Sequence, residues 1–262
     1  MTSPAFTNAS LRGTYAVTVT GEGGRAPFAG LGLLTFDGGG AVSGSLVESR
    51  PRDTFAERAV AATPYSAAYA LADSGTGTLR TDDVVGGGEA ADAWLAVRAV
   101  TLTSAAPIAE EIALIFRNPE PVTGGLRTAT ARRLPDGALF SNASLRGRYT
   151  GFAMGRGGTT PLAGFGVILY DGAGGFTETN VANTPGETIR ERRFIAGSDQ
   201  GHYLVNTDGT GTVADGNVLF VVTRATAREG EPALAEEYGF MLRNLVPTNG
   251  AHFTGVVRRI TD

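Results

Sequence analysis

The chain has 262 residues, a formal net charge of -4 and no cysteine, and all 22 of its basic residues are arginine. That composition excludes disulfides and thiolate chemistry, lysine Schiff bases, and a general attraction to nucleic acid or anionic lipid. A 42% hydrophobic share can fill a core, while 38 glycines without a three-residue period exclude collagen and point to many tight turns.

The organisation emerges from a repeat. Phe6-Thr7-Asn8-Ala9-Ser10-Leu11-Arg12-Gly13 returns as Phe140-Ser141-Asn142-Ala143-Ser144-Leu145-Arg146-Gly147, an offset of 134 positions. At that offset 29 of the 77 positions from Phe6 to Asp82 are identical, which is too many for chance and makes the chain a tandem duplication. Further on the offset falls to 126: Ala109-Glu110-Glu111 matches Ala235-Glu236-Glu237, and Arg132-Arg133 matches Arg258-Arg259. The first copy therefore carries an insertion, placed in the Gly-rich stretch Val84–Asp92. Pro135-Asp136-Gly137 reads as the turn between two units, 1–135 and 136–262.

Within the first unit the predicted strands are Leu11–Thr20, Phe28–Phe36, Ala41–Glu48, Thr54–Ala62, Ala67–Asp73, Trp94–Thr103, Ala109–Phe116 and Leu126–Arg133. Asp37-Gly38-Gly39-Gly40 and Asp171-Gly172-Ala173-Gly174 supply hairpin turns. No segment holds a sustained 3.6-residue apolar period between caps, so long helices are not expected. Eight antiparallel strands avoid bare edges by closing on themselves. The expected fold is all-β, two tandem homologous antiparallel β-barrels, with β-sandwiches as the alternative.

Leu11-Arg12-Gly13-Thr14-Tyr15, Ala29 through Asp37-Gly38, and Tyr69 through Gly75-Thr76-Gly77-Thr78-Leu79 form a pattern L-x-G-x-Y … F-x-x-D-G-x-G … Y-x-x-x-x-x-G-x-G-x-L. It resembles bacterial, often exported, and largely uncharacterised β-domains that are similar to calycin-like barrels of the allene oxide cyclase type. The resemblance covers nearly all of both copies and implies the barrel fold. Relatives by fold include ligand carriers and barrel cyclases such as Diels–Alderases. Because the matching residues are turn and strand residues, the resemblance transfers no catalytic residue.

Chemical signatures are sparse. There is no Gly-x-Ser-x-Gly elbow, and the two histidines, His202 and His252, both lie in the second copy. No metal site is expected from two histidines without cysteine, and no cofactor fingerprint is present, because Gly75-x-Gly77 and Gly209-x-Gly211 lack a third glycine and a following helix. Polar residues shared by both copies mark either the scaffold or a lumen site. The catalytic candidates are Glu111, Glu237, Tyr149, Tyr203 and His202. The second copy is richer in large apolar residues along its first strands, so Phe152, Met154, Phe165 and Tyr170 are the ligand-binding candidates. Trp94 is read as core.

The function expected from these residues is a non-catalytic tandem barrel that binds a small, largely apolar molecule or a surface partner. The alternatives are an isomerase or cyclase that confines a hydrophobic substrate, and a structural assembly module. Expected partners are accordingly a small apolar molecule or a second copy of the chain, with no nucleic acid. No apolar run reaches the ~20 residues of a membrane helix, so no membrane insertion is expected. Met1-Thr2-Ser3-Pro4-Ala5 is not followed by a signal-like apolar stretch, which places the protein outside the cytoplasm only if a signal peptide has been removed.

Overall fold

The computed structural model describes residues 5–22, 28–51, 58–80, 92–103, 107–116, 126–156, 162–185, 191–214, 216–242 and 252–261. Sixteen strands form two closed antiparallel barrels of eight strands each. The first contains β1 (Arg12–Glu22), β2 (Phe28–Asp37), β3 (Ala41–Pro51), β4 (Arg58–Leu71), β5 (Thr76–Arg80), β6 (Asp92–Leu102), β7 (Pro107–Phe116) and β8 (Leu126–Arg133). The second contains β9 (Arg146–Arg156), β10 (Leu162–Asp171), β11 (Gly175–Pro185), β12 (Arg192–Val205), β13 (Thr210–Val213), β14 (Val218–Arg228), β15 (Glu231–Leu242) and β16 (His252–Arg259). The barrels therefore hold and the sandwich does not: β1 pairs β8, and β9 pairs β16, closing each sheet.

Two strand assignments change. Thr54–Ala62 and Ala67–Asp73 are not separate strands, since β4 runs unbroken through Pro64; residues 52–57 lie outside the described ones. Pro64 is tolerated because β4 at that level is paired with β3, opposite Ser45, while β5 joins it only from Ala68 onward. The eighth strand is instead the short β5, Thr76–Arg80, hidden in the sequence by its glycine and threonine content.

The repeated head of each copy seals one end of its barrel. In each, Asn-Ala-Ser makes a single 3-10 turn, Asn8–Ser10 and Asn142–Ser144. The Asn8 side-chain oxygen accepts from the Leu71 N–H at 2.8 Å, and that of Asn142 from the Val205 N–H at 2.9 Å, which ties the turn to the end of β4 or β12. The Tyr69 hydroxyl lies 2.8 Å from the Leu11 carbonyl and 3.1 Å from that of Asn8; the Tyr203 hydroxyl repeats this with Leu145 and Asn142 at 2.8 and 2.9 Å. Phe6 and Phe140 lie against Gly75 and Gly209, where an added Cβ would come within 3.1 and 3.0 Å of the ring, and whose φ values of +81° and +86° also favour glycine. Deeper in, Tyr15 donates to the Ala109 carbonyl at 2.5 Å and Tyr149 to that of Ala235 at 2.7 Å. At the hairpin turns, Asp37 accepts from the N–H groups of Gly39, Gly40 and Ala41, and Asp171 from Ala173, Gly174 and Gly175; these backbone bonds hold both carboxyls below their ordinary range.

The barrels pack side on, through outer faces. In β1 and β2, Tyr15, Val17, Val19, Leu34 and Phe36 belong to the first barrel's own core. By the two-residue period of a strand, Ala16, Ala29 and Leu31 point the other way, yet they are almost fully buried, in the same cluster as Val221 and Met241 of the second barrel. Gly239 lets the barrels approach closely, since an added Cβ there would lie 2.5 Å from a methyl of Thr18. At the margin Arg132 bridges the copies. It donates through Nε to Glu111 of its own barrel at 2.7 Å and also to Glu237 of the second. Glu237, only 2% exposed, additionally accepts from Thr223 at 2.8 Å and Arg258 at 2.7 Å.

Two stability outcomes follow from these buried bonds. Tyr149→Phe leaves the Ala235 carbonyl without its donor and should cost about 1–3 kcal/mol in urea unfolding. Glu237→Ala leaves the Thr223 hydroxyl and one side of the Arg132 guanidinium without an acceptor and should cost about 1.5–3 kcal/mol, against less than about 1 kcal/mol for removing the exposed Arg98 that also meets Glu111.

Candidate functional site

Above its sealed end the second barrel contains a cavity of about 270 Å³. Its walls are largely apolar, with Ala153, Ile168, Val218, Leu242 and Val257 among them, and its aromatic lining includes Tyr170, Phe176, Tyr238, Phe240 and Phe253. The rings form a continuous series: centroids are 6.1 Å apart for Tyr170–Phe176, 6.3 Å for Tyr170–Tyr238, 6.4 Å for Tyr238–Phe240 and 6.3 Å for Phe240–Phe253.

Four polar side chains break the apolar lining. Phe176, Glu178 and Asn180 alternate along β11 and so share its inner face. Gly166, paired with Asn180 on β10, gives the carboxylate its space, because a Cβ there would lie 2.7 Å from Glu178 Oε1. Asn180 Nδ2 donates to Glu178 Oε1 at 3.4 Å. Facing them, the hydroxyls of Tyr170 and Tyr238 share a 2.5 Å hydrogen bond. Burial raises the Glu178 carboxyl above its ordinary 4.5, opposed by the Asn180 bond and reinforced by Asp199, which sits directly opposite on β12. Burial likewise drives the Tyr170 and Tyr238 hydroxyls well above the usual phenol range, with the Glu178 charge adding to both.

The first barrel serves as an internal control. At the matching positions Tyr170 becomes Phe36, Tyr238 becomes Ile112, Glu178 becomes Gly44 and Asn180 becomes Leu46. Phe36, Leu46 and Ile112 lie in that barrel's apolar core. The scaffold closes without any of the four polar groups, so the fold does not explain them. In contrast, the aromatic pairs at the sealed end persist: Tyr15–Phe36 at 5.1 Å corresponds to Tyr149–Tyr170 at 5.3 Å, and Phe36–Tyr69 at 5.2 Å to Tyr170–Tyr203 at 4.9 Å.

The residues singled out in the sequence fall in different places. Tyr170 lines the cavity. Phe165 borders it but is 59% exposed, on the outer side of β10. Phe152 and Met154 sit on the outer face of β9, 54% and 37% exposed, and line a groove beside the first barrel instead. Tyr149 and Tyr203 are engaged with backbone carbonyls, as their counterparts Tyr15 and Tyr69 are. Burial raises both hydroxyls, that of Tyr203 to about 12. Glu111 and Glu237 face outward into the network between barrels, not into a lumen. His202 is exposed at the start of the β11–β12 pairing; the His252 side chain and residues 84–91 of the inserted stretch lie outside the described residues. Trp94 is 60% exposed and so is not core, because it occupies an outward position of β6. Glu178, Asn180 and Tyr238 also line the cavity and are not among the sequence candidates. The signal that finds them is a difference between copies, apolar to polar, at inward positions.

No protein-family profile and no curated protein sequence matches the chain. Among solved structures, it is similar to a protein of unknown function of the DUF3598 family from Nostoc punctiforme, at 13% identity over 99% of this chain and 100% of that one, with a TM-score of 0.25. It is also similar to CghA with Sch210972, at 9% identity over 95% and 88% with a TM-score of 0.24, and to CghA itself, at 8% over 93% and 87% with a TM-score of 0.22. Likeness at this level assigns no activity to the chain.

The raised Glu178 carboxyl gives a signed pH dependence. The folded state holds this proton more tightly than the unfolded chain, so the group lowers stability as pH rises from 4.5 through its higher folded value. Glu178→Gln should match the wild type at acid pH and exceed it at neutral pH in a urea series. A pH-independent difference would show that the group titrates normally.

Proposed function

We propose that the protein binds a small, largely apolar molecule with a cationic end in the lumen of the second barrel. The observation that carries this reading is the cavity with its polar set, present where the duplicate barrel has glycine and hydrocarbon. Its volume of about 270 Å³ lies just below the usual run of ligand sites, about 300–1,000 Å³, and so suits a small molecule. Glu178 has one long hydrogen bond, and its opposite neighbour across the strands, Asp199, is also acidic. A half-buried carboxylate with one long hydrogen bond favours a positive ligand group, and aromatic faces favour the same charge.

A second reading is an isomerase or cyclase. The observation favouring it is the 2.5 Å Tyr170–Tyr238 hydroxyl pair beside Glu178, a donor and an acceptor that a confined substrate would meet together.

Native mass spectrometry of protein from its own source should show a discrete small-molecule adduct. Calorimetric titration with phenyltrimethylammonium, its neutral isostere tert-butylbenzene and benzenesulfonate then tests the charge. The cation is expected to bind at least tenfold more tightly than the neutral probe, and Glu178→Gln to erase that preference. Equal affinities would remove the charge from the reading but leave an apolar binder. No adduct and no probe binding would remove the binder altogether, and conversion of the natural adduct to an isomer would establish the second reading.

A further inference from the structure

We infer that chains associate head to tail, the outer face of β9 and β10 of one chain meeting the outer face of β6 and β7 of the next, which are the faces that correspond to those joining the two barrels within one chain. The internal contact is asymmetric. The first barrel offers the outer face of β1 and β2 (Ala16, Thr18, Ala29 and Leu31), and the second offers the outer face of β14 and β15 (Val221, Gly239 and Met241). Since the two barrels are copies of one unit, each also has the face that its partner uses.

Those unused faces are apolar and uncovered. On the second barrel the positions of Thr18, Thr20 and Leu31 hold Phe152, Met154 and Phe165, and that of Val60 holds Phe194, all exposed, Phe194 by 74%. Phe152 and Phe165 pair directly across β9 and β10, and Val256 on β16 pairs with Phe152, so they make one patch. On the first barrel, strand register aligns Trp94 with Leu219 and Ile115 with Met241; these are 60% and 54% exposed and adjacent across β6 and β7. Solvent-facing positions of a lone barrel would carry polar residues, and clustered large apolar ones mark contact surfaces. The charges extend the match: Arg258 occupies the position of Arg132, is bonded to its own Glu237 and is still 66% exposed, as if to reach a second glutamate at the position of Glu111 in another chain.

The β9–β10 patch continues the established interface, since Phe152, Met154 and Val256 share a groove with Thr18, Thr20 and Leu31 of the first barrel. The occupant that fits is therefore the β6–β7 face of a second copy. Such a heterologous contact propagates, closing into a ring or running on as a chain.

Sedimentation velocity of the full chain over a concentration series should show species heavier than 27.0 kDa. Phe152→Glu with Phe165→Glu blocks one face, and Trp94→Glu with Ile115→Glu blocks the other; each double variant should lose at least tenfold in association. Mixing the two should restore one-to-one pairs, because each retains the face that the other has lost. A wild-type chain that stays monomeric overturns the inference. So does a result in which only the Phe152 variant matters, which would mean a symmetric dimer through that patch. If a glutamate variant does not fold, Phe152→Ser with Phe165→Ser removes the apolar rings without adding charge and should lower association through the same face.

Discussion

Each barrel is stoppered by its own leading segment, and everything above the stopper depends on it. The Asn-Ala-Ser turn carries hydrogen-bond acceptors into the end of the barrel, and a tyrosine hydroxyl satisfies two of its carbonyls at once. An unpaired buried carbonyl there would admit water. With that end closed and held identically in both copies, the remaining length of the lumen is free to differ. The first barrel packs it with Val, Leu and Phe side chains, whereas the second leaves space bounded by rings and one carboxylate.

Duplication separates what a scaffold requires from what it carries. Tyr15 and Tyr149, Asp37 and Asp171, and Asn8 and Asn142 make the same bonds twice, and these pairs account for the most repetitive stretches of sequence. Exchanges such as Gly44 for Glu178 run against the energetics of burial, since even a half-buried carboxylate at an apolar cavity loses part of its hydration. A group retained against that cost is an indicator of use.

The barrels themselves were legible because period-2 alternation, glycine turns and a repeated unit all agree on them. The course of β4 was not, because Pro64 reads as a break unless the absence of a neighbour on one side is known. Nor was the direction of Phe152 and Phe165: a residue's face depends on register, and one step reverses it. Counting shared polar residues as site candidates selects Glu111, Glu237, Tyr149 and Tyr203, which the structure places in the contact between barrels and at the sealed ends. The polar residues that line the cavity, Glu178 and Tyr238 among them, are instead the inward positions at which the copies differ.

The shared cluster between barrels also bears on the order in which the molecule is made. During synthesis the first barrel emerges complete in strands, with Ala16, Ala29 and Leu31 still uncovered, because the surface that buries them is encoded more than a hundred residues later. The connection from Leu134 to Phe140 is short and is held by the paired Arg133 and Asp136. It keeps the nascent second copy within reach, so that the apolar face meets its intended cover at high effective concentration before it meets another chain.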